Sequence, residues 1–344
     1  MRATCCLMIL LFCNACTSIR YMEIETYNPS EVTYPAGVRR ALIVNNALPQ
    51  PANTGYEFIF MGQAQDTCTA NADSALFDAA RALGVAIAET DFFDDVLFFH
   101  EGTRHDESFL EDARLSRDLV QSLCEDADAD AVISLDRLLF VTGKRISSHA
   151  EGYVTGSIDI QIEGVVRSYL PGRTNPVVTI TVSDSVSFFE EAMNVEILSS
   201  ILPSPEEALR IAGEYAVRKV YRAFTPHWET GLRWYFTGMG ARWKEAAAYA
   251  GSEKWDKAAE RWQYIYNHTP PHSGNKAKAA ANLALAAEME GNFDAALEWA
   301  KTSRDLFAPN NESETSNARK QTLYIATLEQ RILNEKKLNL QIRK

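Results

Sequence analysis

Cysteine is scarce, and four of the six, Cys5, Cys6, Cys13 and Cys16, fall within the first sixteen positions. Cys68 and Cys124 alone remain for the body of the chain, too few for a disulfide-built fold. They can pair with each other or stand as two partly buried thiols, and neither has the neighbouring histidine in sequence that would mark a nucleophile. Runs of Lys or Arg are absent and the formal net charge is −12, which argues against nucleic acid or an anionic lipid surface as partner. Beyond the first residues no apolar stretch is long enough to span a bilayer; even Val154–Val166 is interrupted by Ser157, Asp159, Gln161 and Glu163. Gly-x-Ser-x-Gly, phosphate-binding and dinucleotide-binding loops are missing, and Gly238-Met239-Gly240 lacks a third glycine and a preceding predicted strand. No cofactor and no metal are expected. What is there is a chain of 344 residues, 46% hydrophobic and 23% charged, the composition of a folded protein with room for two domains.

Arg2, the short apolar run Leu7–Phe12 and the segment Asn14-Ala15-Cys16-Thr17-Ser18 describe an export signal. The segment resembles the lipobox of bacterial lipoproteins, departing from it at Cys13 and Asn14. The resemblance implies that residues 1–15 are a lipoprotein signal peptide and that Cys16 carries a lipid anchor, with an ordinary secretory signal as the alternative. It places the protein at the outer membrane of the cell envelope. No acidic run follows Cys16, and by resemblance to the export signals of surface lipoproteins this favours the periplasmic face over the cell surface.

Residues 16–225 read as an α/β domain, a mixed sheet with covering helices. Tyr21–Tyr27 alternates as a strand should, and Arg39–Asn45 is a short apolar run of the central-strand type. Leu76, Ala79, Ala80 and Leu83 recur at helical spacing and predict a helix over Asp73–Ala88. A strand at Asp94–Phe99, a helix over Ser108–Cys124 and a strand beginning at Ala131–Leu135 follow. Gly152–Leu170 and Val177–Phe189 are long alternating segments joined by a Pro/Gly-rich turn, and Ser204-Pro205-Glu206-Glu207 opens a helix that Thr225-Pro226 stops. This succession resembles the α/β domain of curli-secretion lipoproteins, of the Tol translocation protein and of lipoprotein activators of penicillin-binding proteins. The local match is Ala-Asp-Ala-Val at 129–132.

Residues 226–344 read as an all-α domain of helical repeats. Lys254–Trp262 and Asn292–Trp299 align at an offset of 38 residues, each preceded by an alanine-rich helix. Asn282-Leu283-Ala284, Glu290-Gly291-Asn292-Phe293, Ala296-Leu297 and Pro309 make the unit 277–309 resemble a tetratricopeptide repeat. The earlier unit, about 242–269, matches at Ala246, Tyr249 and Ala258 but has Glu253 in place of the turn glycine. A helix over Asn317–Leu340 is expected to cap the stack. By the same resemblance Trp243, Lys278, Leu285 and Glu288 are candidate partner-binding residues in a groove lined by the first helices. Taken together, the lipobox, the Arg-Arg-Ala-Leu-Ile-Val-Asn-Asn strand, Pro226-His227-Trp228 and the Trp-rich repeats resemble a family of Bacteroidetes lipoproteins with C-terminal tetratricopeptide repeats, a resemblance that brings no established activity.

The remaining constellations favour structural roles. In His100-Glu101-Gly102-Thr103-Arg104-His105 the histidines stand five apart instead of the four that a zinc-protease helix needs, so a loop is expected. Asp126, Asp128 and Asp130 alternate as in a calcium loop, but Ala131 and Arg137 occupy the glycine and bidentate-glutamate positions. Asp91, Asp94 and Asp95 fit an acidic turn better than an acid–base pair. Asn45-Asn46 lies where open α/β sheets place ligands, though turn asparagines explain it more simply. The expectation is a non-enzymatic scaffold for another envelope protein or peptide. The alternatives are a glycan-binding accessory lipoprotein, which would show two exposed Trp faces on one surface, and a hydrolase with clustered carboxylates or histidines in the α/β cleft.

Overall fold

The computed structural model describes residues 19–65, 69–308 and 315–342. Cys16, Cys68, Pro309 and the expected signal peptide lie outside the described residues. In chain order the strands are β1 (Ile19–Asn28), β2 (Arg40–Asn45), β3 (Tyr56–Phe60), β4 (Gln63–Ala64), β5 (Asp95–Gly102), β6 (Ala131–Ser148), β7 (Val154–Tyr169), β8 (Val178–Ala192) and β9 (His227–Phe236). The helices are α1 (Asp73–Ala88), α2 (Arg117–Ala127), α3 (Val195–Ile201), α4 (Pro205–Arg218), α5 (Tyr221–Phe224), α6 (Ala241–Ala250), α7 (Trp255–His268), α8 (Gly274–Met289), α9 (Phe293–Phe307) and α10 (Ser316–Ile342). Among the described residues two compact units emerge: Asn28–His227 with Leu338–Ile342, and Trp228–Lys337 with Ile19–Tyr27. The first is a mixed-sheet unit, the second a helical one.

The sheet unit is organised around β6. On one side β6 pairs antiparallel with β7, from Val132↔Tyr169 to Ser148↔Val154, and β7 pairs with β8. On the other side two parallel strands follow each other along it, β2 at Ala131–Leu135 and β3 at Thr142–Ile146. β5 flanks β2 in parallel and β4 flanks β3 antiparallel. One face is covered by α1 and α4, whose Leu76, Leu83, Ile87, Leu209 and Val217 join Ile43, Ile133, Leu138, Phe140, Ile158 and Ile160 in the main core. Each such side chain contributes about 1.5–3 kcal/mol on burial. α2 packs its Val120, Leu123 and Cys124 into a second cluster with Leu42, Val44 and Val132. α1 forms over the predicted residues, and Ser204 caps α4 by accepting the Glu207 N–H at 3.2 Å.

Three expectations need correction here. The predicted helix over Ser108–Cys124 begins only at Arg117, with Ser116 as its N-cap, because the preceding residues are drawn into side-chain contacts described below. β5 continues through Gly102, so His100 and Glu101 belong to a strand and not to a loop. The strand at Tyr21–Tyr27 forms, as part of β1, but it pairs with β9 in a separate two-stranded sheet and takes no place in the mixed sheet. The structure adds β3, β4 and α3, which are not among the expected elements, and β9, a strand preceding Gly238.

In the helical unit α6 and α7, then α8 and α9, form two helical hairpins, followed by α10. The turns are equivalent: Glu253 has φ +57° and Gly291, 38 positions on, has φ +77°. Ala246, Ala258, Ala284 and Ala296 are all fully buried, which lets helix backbones approach closely. Trp262 is fully buried as well.

Candidate functional site

Two clusters of buried charge stand out, one in each unit. In the sheet unit a register shift between Leu135 and Arg137 sets Asp136 at a bulge in β6, where it is fully buried. Its Oδ1 accepts from Ser134 Oγ at 2.6 Å and Asn46 Nδ2 at 3.0 Å, and its Oδ2 from Arg167 at 2.7 Å and the Tyr169 hydroxyl at 2.8 Å. Burial pushes the Asp136 carboxyl above the ordinary range against the pull of these donors. Arg167 also bonds the Asp112 carboxylate and, at 2.9 Å, the Asp112 carbonyl. Asn46 donates to Ala113 O at 2.7 Å and accepts from Thr103 Oγ1 at 2.6 Å. Arg104 gathers Asp106, Ser108 O and Glu111 O, and its hydrogen bond holds the Asp106 carboxyl at about 2. The strand end at Asn45-Asn46 thus carries a loop clamp: Asn45 Oδ1 takes the Ala47 N–H at 3.1 Å, and Asn46 ties down residues 103–113.

Other acidic candidates in this unit also have structural tasks. Asp130 accepts the backbone N–H groups of Arg39 and Arg40 at 2.8 and 2.9 Å, and Asp128 ends α2 in the left-handed region at φ +50°. Asp94 pairs with Arg39 at 3.1 Å and Asp95 with Arg40 at 3.5 Å. Cys124 is a free, buried thiol, and Cys68, its possible partner, lies outside the described residues; burial and the charges of Asp130 and Glu125 push the Cys124 pKa up to about 11. Among the described residues no group of three or more His, Cys, Asp or Glu is arranged to hold a metal ion.

In the helical unit the residues expected to line a partner groove surround the chain's own strand β9. Glu288, fully buried at its side chain, binds the Arg233 guanidinium through Nε at 2.9 Å and Nη2 at 2.8 Å. It also accepts from the Tyr324 hydroxyl at 2.6 Å and from Arg331. Burial raises the Glu288 carboxyl, but these cations and the hydroxyl outweigh it and hold the group below the ordinary carboxylate range. Nearly two turns earlier on α8, Asn282 accepts the Phe236 N–H and donates to the Phe236 carbonyl, both at 2.7 Å. Leu285 and Trp243 pack with Tyr235 and Phe236 in the apolar cluster, and Lys278 Nζ lies 5.9 Å from the Phe236 ring centroid. Trp243, Leu285 and Glu288 are therefore buried, and Lys278 is half-buried; the expected outward direction of the first three is corrected. Asn282, Arg233 and Tyr324 were missed. The period-two pattern of Trp228, Thr230, Leu232 and Trp234 was the signal that a strand reaches this groove.

Tryptophan exposure is confined to Trp228, at 63%, with its ring 5.0 Å from that of Tyr27; Trp243, Trp255 and Trp262 are buried, Trp234 and Trp299 half-buried. No helix among the described residues is long and apolar enough to cross a membrane.

Among solved structures, a PelC dodecamer from Paraburkholderia phytofirmans is similar at 11% identity over 59% of this chain and 97% of that one, with a TM-score of 0.20, too low to bear on the fold. No curated protein matches. A family model described as Domain of unknown function (DUF6340) matches residues 244–330, across the helical hairpins. A second model spans the mixed sheet and runs on through β9: residues 38–236 match Domain of unknown function (DUF8603), and the chain belongs to that family.

Proposed function

We propose that this protein is a lipoprotein, anchored at the periplasmic face of the outer membrane through a lipid on Cys16, and that its helical unit is a non-enzymatic interaction scaffold of tetratricopeptide type for another envelope protein or peptide. The observation that carries this reading is the way α8 grips an extended strand. Asn282 reads the backbone of Phe236 through both its N–H and its carbonyl, Glu288 takes a guanidinium, and an apolar cluster takes the adjoining Tyr235. Backbone hydrogen bonds, one charged anchor and aromatic side chains in pockets are the chemistry of peptide recognition. The matching turns at Glu253 and Gly291 and the buried alanines 38 positions apart support the repeat assignment.

A binding role also suits the buried charge. Both oxygens of Asp136 and of Glu288 are engaged by donors of the same chain, as in groups that hold a fold together. Cross-linking in intact cells, followed by purification of the full chain and mass spectrometry, tests the scaffold. A specific envelope protein cross-linked to residues 241–342 is expected; adducts confined to the sheet unit, or none above background, would count against it. Cys16→Ala tests the anchor and should release the protein from membranes; a mutant that stays membrane-bound contradicts it.

A further inference from the structure

The outer edge of β8 is long and unguarded. Its fifteen residues pair with β7 in continuous register, from Val154↔Ala192 to Ser168↔Val178, and among the described residues no strand lies on the other side. A strand edge exposes alternate N–H and C=O groups that template pairing with another chain, and proteins blunt such edges with Lys, Pro, bulges or short length. β8 is about three times the usual strand length; it contains no Lys, no Pro and no bulge, and its charged residues are the carboxylates Asp184, Glu190 and Glu191. Beside β8 lies a groove of about 360 Å³, lined by Ile180–Asp184, Ala216, Val220 and Ala223 and also by Glu31, Lys219, Arg222 and His227, so an added strand would meet a mixed apolar and charged surface as well as backbone.

We propose that this edge joins two copies of the chain, β8 pairing antiparallel with β8 about a two-fold axis at Ser185. Full overlap of the fifteen residues sets this register, and the charges of the strand are compatible with it. Full overlap places Ser185, the central residue, opposite its own copy. It sets Asp184 against Val186, Glu190 against Ile180 and Glu191 against Thr179, so no carboxylate faces another. An axis at Ser187 would oppose Asp184 to Glu190, and one at Asp184 would oppose that residue to itself. Phe188 then meets Val182 on the helix-covered face, and Phe189, 65% exposed in the single chain, meets Thr181 on the open face. Aromatic and β-branched cross-strand pairs of this kind stabilise antiparallel sheets. The Ser185 N–H, now taken by Asp184 Oδ1 at 2.9 Å, and the Lys219–Asp184 pair at 2.9 Å sit at the axis, where they would adjust to the second strand.

This inference goes beyond the scaffold reading and does not depend on it. The test places single cysteines on the exposed face of β8 in the full-length chain and treats intact cells with a short bis-maleimide, with the unsubstituted chain as control. Ser185→Cys is expected to give a band of twice the chain mass. Phe189→Cys alone is expected to give none, because the two copies of residue 189 would lie about 26 Å apart. Thr181→Cys expressed together with Phe189→Cys should restore the double-mass band. Ser185→Cys that accumulates normally but stays monomeric would overturn the proposal. So would an adduct of Ser185→Cys with a different protein, or equal dimer from Phe189→Cys alone.

Discussion

Glu288 holds the helical unit together at the scale of single side chains. Its carboxylate collects two guanidinium groups and a tyrosine hydroxyl with no exposure to solvent, so removing its charge strands Arg233 and Arg331. Glu288→Gln should destabilise the protein by about 3–5 kcal/mol at pH 7, the usual cost of breaking a buried ion pair; denaturant unfolding measures it. The sign of the pH dependence follows from the depressed folded-state pKa. The stabilisation is complete above the ordinary glutamate value of 4.5 and is lost as pH falls below it through the folded value. The stability gap between the native chain and Glu288→Gln should therefore shrink as pH is lowered below 4.5, and a gap constant down to pH 3 would contradict the assignment. In the sheet unit, Asn46→Ala removes three hydrogen bonds and leaves Thr103 and the Ala113 carbonyl to find other partners. A loss of about 1–3 kcal/mol is expected, with faster proteolysis between residues 103 and 116; an unchanged cleavage rate would show that the loop is held elsewhere.

Element-scale behaviour turns on where local pattern and tertiary contact agree. α1 was legible to the residue because Leu76, Ala79, Ala80 and Leu83 all face the sheet, and α4 because Ser204 and Pro205 announce its start. The start of α2 was not, since Leu115 stands at helical spacing with Leu119, Val120 and Leu123 while Arg104 and Arg167, the latter from β7, hold the stretch before Ser116 as a loop. Only the beginning of β6, Ala131–Leu135, is legible in the sequence, because Arg137, Lys144 and Arg145 interrupt its apolar pattern beyond that point, though its pairing with β7 runs to Ser148. The candidate groove was legible in part: α8 was found and its residues chosen, but the occupant, β9, was hidden in a Trp-rich junction whose buried Arg233 looks like a surface residue. The turn at Glu253 offers a test of the repeat alignment. A glutamate at φ +57° is strained where glycine is not, so Glu253→Gly should raise stability by about 1 kcal/mol, seen as a higher Tm. The reverse change Gly291→Glu should lower it by a similar amount.

At the scale of the whole molecule the proposed scaffold role depends on what each unit leaves open. The sheet unit closes its buried charge around Asp136 and retains a bare strand edge at β8. The helical unit closes its groove on β9 and leaves apolar side chains outside it, with Leu232, Leu323 and Leu333 exposed by 57%, 64% and 59%. Scattered exposed leucines are ordinary, but a scaffold must meet its partner through surface that remains after folding, so these positions are where contact is expected. The most direct test replaces Leu232, Leu323 and Leu333 one at a time with a photo-crosslinking amino acid in the full-length chain. Val141 and Leu110 of the sheet unit, 59% and 61% exposed, serve as comparison. On illumination of intact cells, one envelope protein trapped from the helical positions and not from Val141 or Leu110 is the predicted result. The same adducts from every position, or none from the helical unit, would contradict the scaffold account.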